Sequence, residues 1–359
     1  MKRDNTSRKA GYLSNAITIL IAIAAAFLVS LIFISAVGVS PWEAYGKMLA
    51  GIFKKSGIFE TLAKATPYII MALGVSVGLR GGQNNLGGDG QFYIGGLCSV
   101  LVGLYLPQNL PPILIWILAL IAGALGGGIW GAIAGWMKAR FNTSEVIITI
   151  MLNYCALYIM SWLVSGPLEA PGGIPQTKAL STAYSLPKLM QGVRTHWGII
   201  LVPVLAFGVY YVFKKTTMGY RIEAVGAAPD AAVYAGIHSK KYLILILFIS
   251  GAFCGVAGMA EVYGSYYRVL EGITSSFGFT AMLIALLAQL SPLGIIFASL
   301  FISALAVGAN SMQMAMNVPT SIVNVIQSLI IVFVLILPGV RRKLEQTLAN
   351  RKGKEGAER

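Results

Sequence analysis

Apolar residues in this chain gather into ten runs, at 16–37, 62–79, 92–106, 113–137, 146–164, 199–213, 242–262, 277–290, 295–309 and 321–337. A helix needs about 20 such residues to cross the hydrocarbon core of a bilayer. Hydrophobic residues make up 57% of the 359 and charged residues only 11%, against about 45–50% and 25% in soluble domains. A water-soluble fold could not hide so much apolar surface, so the bilayer is the solvent for most of the chain. The fold class is therefore an all-α polytopic membrane protein of about ten transmembrane helices. The runs 92–106 and 277–290 are short or glycine-rich and read as broken or tilted.

An even number of spans puts both ends on one side, and lysine and arginine choose the side. With the N-terminus inside, the inner segments hold 19 of the 27 basic residues and the outer segments 7, with Lys64 inside a span. That asymmetry follows the positive-inside rule and makes both termini cytoplasmic. It also accounts for the net charge of +14 without a nucleic-acid partner. The expected layout is a cytoplasmic tail at 1–15, a single transmembrane domain at 16–337 and a basic cytoplasmic tail at 338–359. An outer loop occupies 165–198, where four prolines forbid a continuous helix. A cytoplasmic loop occupies 214–241. The N-terminal apolar run is too long for a signal-peptide core and reads as a retained helix.

The residues that are missing narrow the chemistry. All 13 acids fall in tails, loops or span ends, whereas proton-driven carriers keep ionisable groups within the membrane. His196 and His238 lie in different loops on opposite sides, so they cannot form one metal site or a catalytic pair. Cys98, Cys155 and Cys254 match no metal or disulfide spacing and read as packing residues. No serine, cysteine or threonine has a base beside it. No catalytic residue is assigned. No phosphate-binding G-x-x-x-x-G-K-[ST] loop occurs either, so any ATP must be bound by another chain.

Two polar segments stand out. The first, 78–91, carries five glycines between Gly81 and Gly90, with Gln83, Asn84, Asn85, Asp89 and Gln91 among them. Irregular backbone at membrane depth is tolerated only where it packs in protein or lines a wet cavity. An ordinary cytoplasmic turn is the competing reading. The second lies in the inner loop. Pro229 suits the first position of a short helix, Asp230 its first turn, and Gly236 its end. Its alanine-rich surface fits a groove on another protein. The competing reading is a connector on the membrane surface.

Both segments resemble the permease group that serves branched-chain amino acid, ribose and nucleoside ABC importers. That group carries an N-x-G-x-x-G-Q element after its second helix, matched here by Asn85 through Gln91, with Leu86 and Asp89 where the group usually has Ile and Glu. Its cytoplasmic pattern G-x-x-x-x-A-x-G-x-x-x-x-A-A-x-x-x-G-I is matched by Gly219, Ala224, Gly226, Ala231, Ala232, Gly236 and Ile237. The nucleoside branch is most similar, through Asn142-Thr-Ser-Glu at the fifth span, Gly166-Pro-Leu in the outer loop, and Phe277-Gly-Phe-Thr and Ser291-Pro-Leu-Gly later. The segment beginning at Asn142 is echoed by Asn317-Val-Pro-Thr-Ser before the tenth run.

The resemblance implies two inverted repeats of five helices in the bacterial plasma membrane. It implies two cytoplasmic ABC ATPase subunits that hold ATP and magnesium, a second permease subunit, and an extracytoplasmic substrate-binding lipoprotein. This chain would carry no cofactor or metal of its own and would move nucleosides by alternating access. A simple sugar or a branched-chain amino acid on the same architecture is the alternative, and an ATP-independent channel a more distant one. Arg221, Glu223, Gly226, Ala227, Pro229, Asp230, Ala231 and Gly236 are the candidate ATPase-coupling residues. Asn84, Asn85, Asp89, Gln91, Asn153, Phe277 and Phe279 are the candidate path residues, since amides can bond ribose hydroxyls and aromatics can stack on a base. Each path residue could equally be packing between membrane helices.

Overall fold

The computed structural model describes residues 21, 24–36, 38–107, 109–190, 192–274 and 276–319, and scattered positions from 321 to 336. The tails at 1–15 and 338–359 and parts of the run 321–337 lie outside the described residues. Among the described residues the helices are α1 (Ala24–Ala36), α2 (Pro41–Phe53), α3 (Lys55–Arg80), α4 (Gly88–Tyr105), α5 (Pro112–Phe141), α6 (Glu145–Val164), α7 (Leu201–Lys215), α8 (Thr217–Ala227), α9 (Pro229–Tyr234), α10 (Ser239–Glu261), α11 (Phe277–Leu287) and α12 (Pro292–Met316), of which all but α2, α8 and α9 fall on expected apolar runs. Among the described residues six helices are long and apolar enough to cross a membrane, or seven if the bent pair α1–α2 is one span. The protein is thus a multi-pass α-helical membrane protein. α4, whose first turn is glycine and aspartate, and α11, only 11 residues long, fall outside those six.

The chain divides into two compact units, one of 1–57 with 304–359 and one of 58–303. In the first, the Tyr45 hydroxyl of α2 donates to the Phe27 carbonyl of α1 at 2.9 Å. Gly308 of α12 sits where a Cβ would lie 2.5 Å from Met48. α2 was not apparent from hydropathy, because it interleaves Trp42, Met48 and Leu49 with Glu43 and Lys47.

In the second unit, α4, α5 and α10 pack backbone to backbone. Gly123, Gly127, Gly131 and Gly135 recur every four residues on α5, which places them on one face. A Cβ at Gly127 would lie 2.4 Å from the Gly251 carbonyl, and one at Gly255 only 2.0 Å from the Gly123 carbonyl. α4 joins through Gly95, whose Cβ would meet the Gly255 Cα at 2.2 Å. Small residues permit this approach where lipid leaves no hydrophobic drive between helices. The opposite face of α5 exposes Ile113, Ile117, Ile121, Leu125 and Ile129, a stripe suited to acyl chains.

The loop 165–198 lies along the segment after α10. A two-stranded hairpin, β1 (Glu169–Ala170) and β2 (Ile174–Thr177), and two 3-10 turns replace any long helix. Thr177, Leu180 and Leu186 donate their amides to the carbonyls of Val269, Tyr267 and Tyr263. His196 is buried at the end of the loop, and desolvation pushes its imidazole down to about 4. It is therefore neutral near pH 7, with Nδ1 accepting from the Gly198 amide at 3.1 Å.

Substitution of Gly255 by Leu is expected to cost more than the roughly 1–3 kcal/mol typical of overpacking. Alanine at Gly208 in α7, with nothing within 4 Å of its Cβ position, is the comparison and should stabilise by about 0.4–1 kcal/mol through helix propensity. Thermal unfolding of both variants in detergent checks this.

Candidate functional site

Between α3 and α4 the backbone is not helical, and its polar groups need partners. Gly82 takes φ +68°, a left-handed turn that favours glycine. The Gln83 amide returns to the Gly78 carbonyl at 2.9 Å. Asn85 then organises the segment. Its Nδ2 donates to Gln91 Oε1 and to Ser250 Oγ, both at 2.8 Å, while its Oδ1 accepts from the Gly87 amide at 3.0 Å. Gln91 Nε2 returns to Asn85 Oδ1 at 3.1 Å. Asn85 and Gln91 are each 1% exposed, so these bonds replace water that cannot reach them.

Asn153 of α6 closes the other side. Its Oδ1 accepts from the Gly90 amide at 2.8 Å and its Nδ2 donates to the Leu86 carbonyl at 2.7 Å. Glu145, at the start of α6, pairs with Lys138 of α5 at 2.8 Å and accepts from the Asn84 amide at 3.3 Å. The Asn84 side chain is exposed. Asn85, Gln91 and Asn153 thus converge on one irregular turn and on the start of α4. Their amides bind backbone and one another.

Asp89 and Phe277 meet at a second point. The Gly278 amide, at the start of α11, donates to Asp89 Oδ1 at 3.0 Å. A carboxylate there satisfies orphan amides and complements the helix dipole. The Phe277 ring lies 5.1 Å from that of Tyr68 and 5.8 Å from that of Phe92, edge to face in both cases. Phe279 is 43% exposed. Tyr68, partly exposed beside Phe277, carries no signal in the sequence that separates it from packing aromatics.

The residues of the 214–241 loop form a helical pair. Thr216 caps α8 by accepting from the Gly219 amide at 3.3 Å. α9 begins at Pro229, and Gly236 at φ +78° ends it. The Ser239 hydroxyl donates to the Pro229 carbonyl at 3.0 Å, binding the pair to α10. Ala227, Pro229, Asp230 and Ala231 are exposed, whereas Ala232 is buried. Tyr234 is 93% exposed beside Val233 at 57%, an apolar tip where the sequence pattern emphasised alanine. Arg221 donates to the Tyr242 hydroxyl at 3.4 Å. Gly226 faces inward, where a Cβ would lie 2.2 Å from the Arg80 carbonyl and 2.8 Å from the Gly82 amide nitrogen. The two polar segments therefore touch, and Arg80 stands at the junction. The sequence offers no local sign of this role.

Apolar helices around a polar turn braced by amide side chains, with a short helical pair packed beside it, define a polytopic membrane protein. The chain belongs to the permease component family of branched-chain amino acid transport systems, which matches residues 57–335. It is similar to the guanosine ABC transporter permease protein NupP of Bacillus subtilis, 34% identical over 324 residues covering 89% of this chain and 91% of that one. The nucleoside ABC transporter permease protein NupB of Lactococcus lactis is 34% identical over 88% of this chain and 90% of its own. The glucose ABC transporter permease protein TsgB13 of Haloferax volcanii is 31% identical over 89% and 86%.

Asn153→Ala would leave the Gly90 amide and Leu86 carbonyl without their side-chain partner. The expected loss is about 1–3 kcal/mol of stability, present without any solute and read as a lower unfolding midpoint in detergent.

Proposed function

We propose that this chain is the membrane-spanning subunit of an ABC importer for nucleosides in the plasma membrane. The observation that carries the reading is 34% identity, over about nine-tenths of each chain, to permeases named for guanosine and for nucleosides. The glucose permease at 31% over similar coverage supports a simple sugar as the second reading. In this proposal ten spans form two inverted repeats with both termini cytoplasmic. Asn142 after α5 and Asn317 after α12 support the repeat. Both take φ 54°, and their amides close their helices onto Lys138 and Gln313.

The work would come from a cytoplasmic ATPase holding ATP and magnesium, beside a second permease subunit and an extracytoplasmic binding lipoprotein. The ATPase would grip α8–α9 through Ala227, Pro229, Asp230, Ala231, Val233 and Tyr234. An apolar tip flanked by small exposed residues is the kind of surface that marks a protein contact. Arg221, Glu223 and Gly226 would hold the pair to the membrane body, and Gly236 would end α9. Closure of the ATPase would then displace the pair and rock the helices between outward- and inward-open states. The path would run past Asn84, Asp89, Phe277 and Phe279, with Asn85, Gln91 and Asn153 fixing its wall. Aromatic edges suit a base, and the exposed amide suits a ribose hydroxyl.

Tryptophan at Ala231 should lower the amount of co-purified ATPase by about tenfold or more, equivalent to roughly 1.4 kcal/mol. Membrane insertion should stay normal, because Ala231 is exposed. Undiminished ATPase recovery would remove α9 as the docking element. For substrate, unlabelled guanosine or uridine should compete with labelled guanosine uptake into cells, and glucose should not. Competition by glucose alone would replace the nucleoside reading with the sugar reading.

A further inference from the structure

Half-helix α11 is gripped at both ends by one stretch of chain. Its 11 residues extend about 16 Å, roughly half the 30 Å hydrocarbon thickness. At its start the Gly278 amide is held by Asp89. At its far end the chain turns through Gln289 and Leu290, whose φ values are 50° and 60°. Two successive non-glycine residues in the left-handed region are costly, and their amides close the turn onto the Leu286 and Ala285 carbonyls at 3.0 and 2.9 Å. The Leu290 carbonyl accepts from Arg80 Nη2 at 3.0 Å. Arg80 and Asp89 flank the irregular turn between α3 and α4, which makes that turn a bracket for α11.

The same guanidinium reaches the cytoplasmic pair. Arg80 Nη1 donates to Glu223 Oε1 of α8 at 2.7 Å, and its Cζ lies 4.6 Å from the centre of the Phe213 ring of α7. Its Nε is buried without a partner among the described residues. A stability role explains this poorly. The Arg80 and Glu223 side chains are 22% and 47% exposed, and exposed ion pairs contribute little to folding. A planar fork can bond two acceptors at once, whereas a lysine ammonium is a point charge on a flexible stem. Resting on the importer reading above, we propose that Arg80 is the positioning residue through which displacement of α8–α9 reaches α11, one guanidinium being shared between Glu223 and the Leu290 carbonyl. Movement of the docking pair then pulls on the half-helix that carries Phe277 and Phe279.

The test uses the complete importer, with its ATPase, second permease and binding protein, in proteoliposomes loaded with ATP. ATP hydrolysis and labelled guanosine uptake are measured together. In Arg80→Lys, ATPase recovery and hydrolysis should stay within about twofold. Uptake per ATP should fall within the roughly 5–150-fold range typical of coupling between sites. The charge exchange Arg80→Glu with Glu223→Arg restores the ion pair but places an acceptor against the Leu290 carbonyl. It should recover assembly and leave uptake low. Normal uptake per ATP in Arg80→Lys, or full recovery of uptake in the exchanged pair, overturns the proposal and leaves the importer reading intact. A wild-type importer whose uptake ignores ATP overturns both.

Discussion

A backbone amide or carbonyl inside a bilayer has no water to fall back on. Several departures from helix in this protein are therefore matched by a side chain that supplies a missing bond. The turn between α3 and α4 is the clearest instance. Asn85, Gln91, Asn153 and Ser250 stand in for solvent around it, and Glu145 reaches in from the start of α6. At the start of α11 the Gly278 amide is held by Asp89, and just beyond its end the Leu290 carbonyl is held by Arg80. Remove these groups and the chain has no affordable way to be anything but continuous helix at those points. The breaks are where a transport protein can present polar atoms to a solute or change shape.

Much of the helical plan was legible because hydropathy acts over windows as long as the helices themselves. The expected run 113–137 and the helix Pro112–Phe141 differ by a few residues, and 62–79 is longer by about two turns at its start. Local signals placed α9 well, since Pro229 and Gly236 act through their own backbone geometry. α2 was hidden because it is only 13 residues long and Glu43 and Lys47 interrupt its apolar stretch. The expected run 277–290 ended early, at Leu287, where Gln289 and Leu290 turn out of the helix.

The site was legible in composition but not in connection. A cluster of Asn, Gln and Asp within a glycine-rich stretch says that polar atoms are needed there. It does not say whether they face a solute or each other. Asn85 and Gln91 bond each other, while Asn84 on the same stretch stays exposed. Arg80 illustrates the limit. Its partners Glu223 and Leu290 lie far along the chain, and nothing local to Arg80 distinguishes it from any arginine at a helix end. Gly226 is similar. Its spacing in the loop pattern points to the ATPase side, whereas its need for hydrogen in place of a side chain comes from the turn behind it.

The glycine seam of α4, α5 and α10 bears on how such a protein can move at all. Side chains that interlock can slip from one rotamer to another and let two helices slide. Bare main chain pressed on bare main chain has no such gearing, and a shift of one residue would drive Cβ atoms into carbonyls. The seam therefore favours one register of these three helices. The irregular turn and the α8–α9 pair, by contrast, are joined to these helices through side-chain hydrogen bonds.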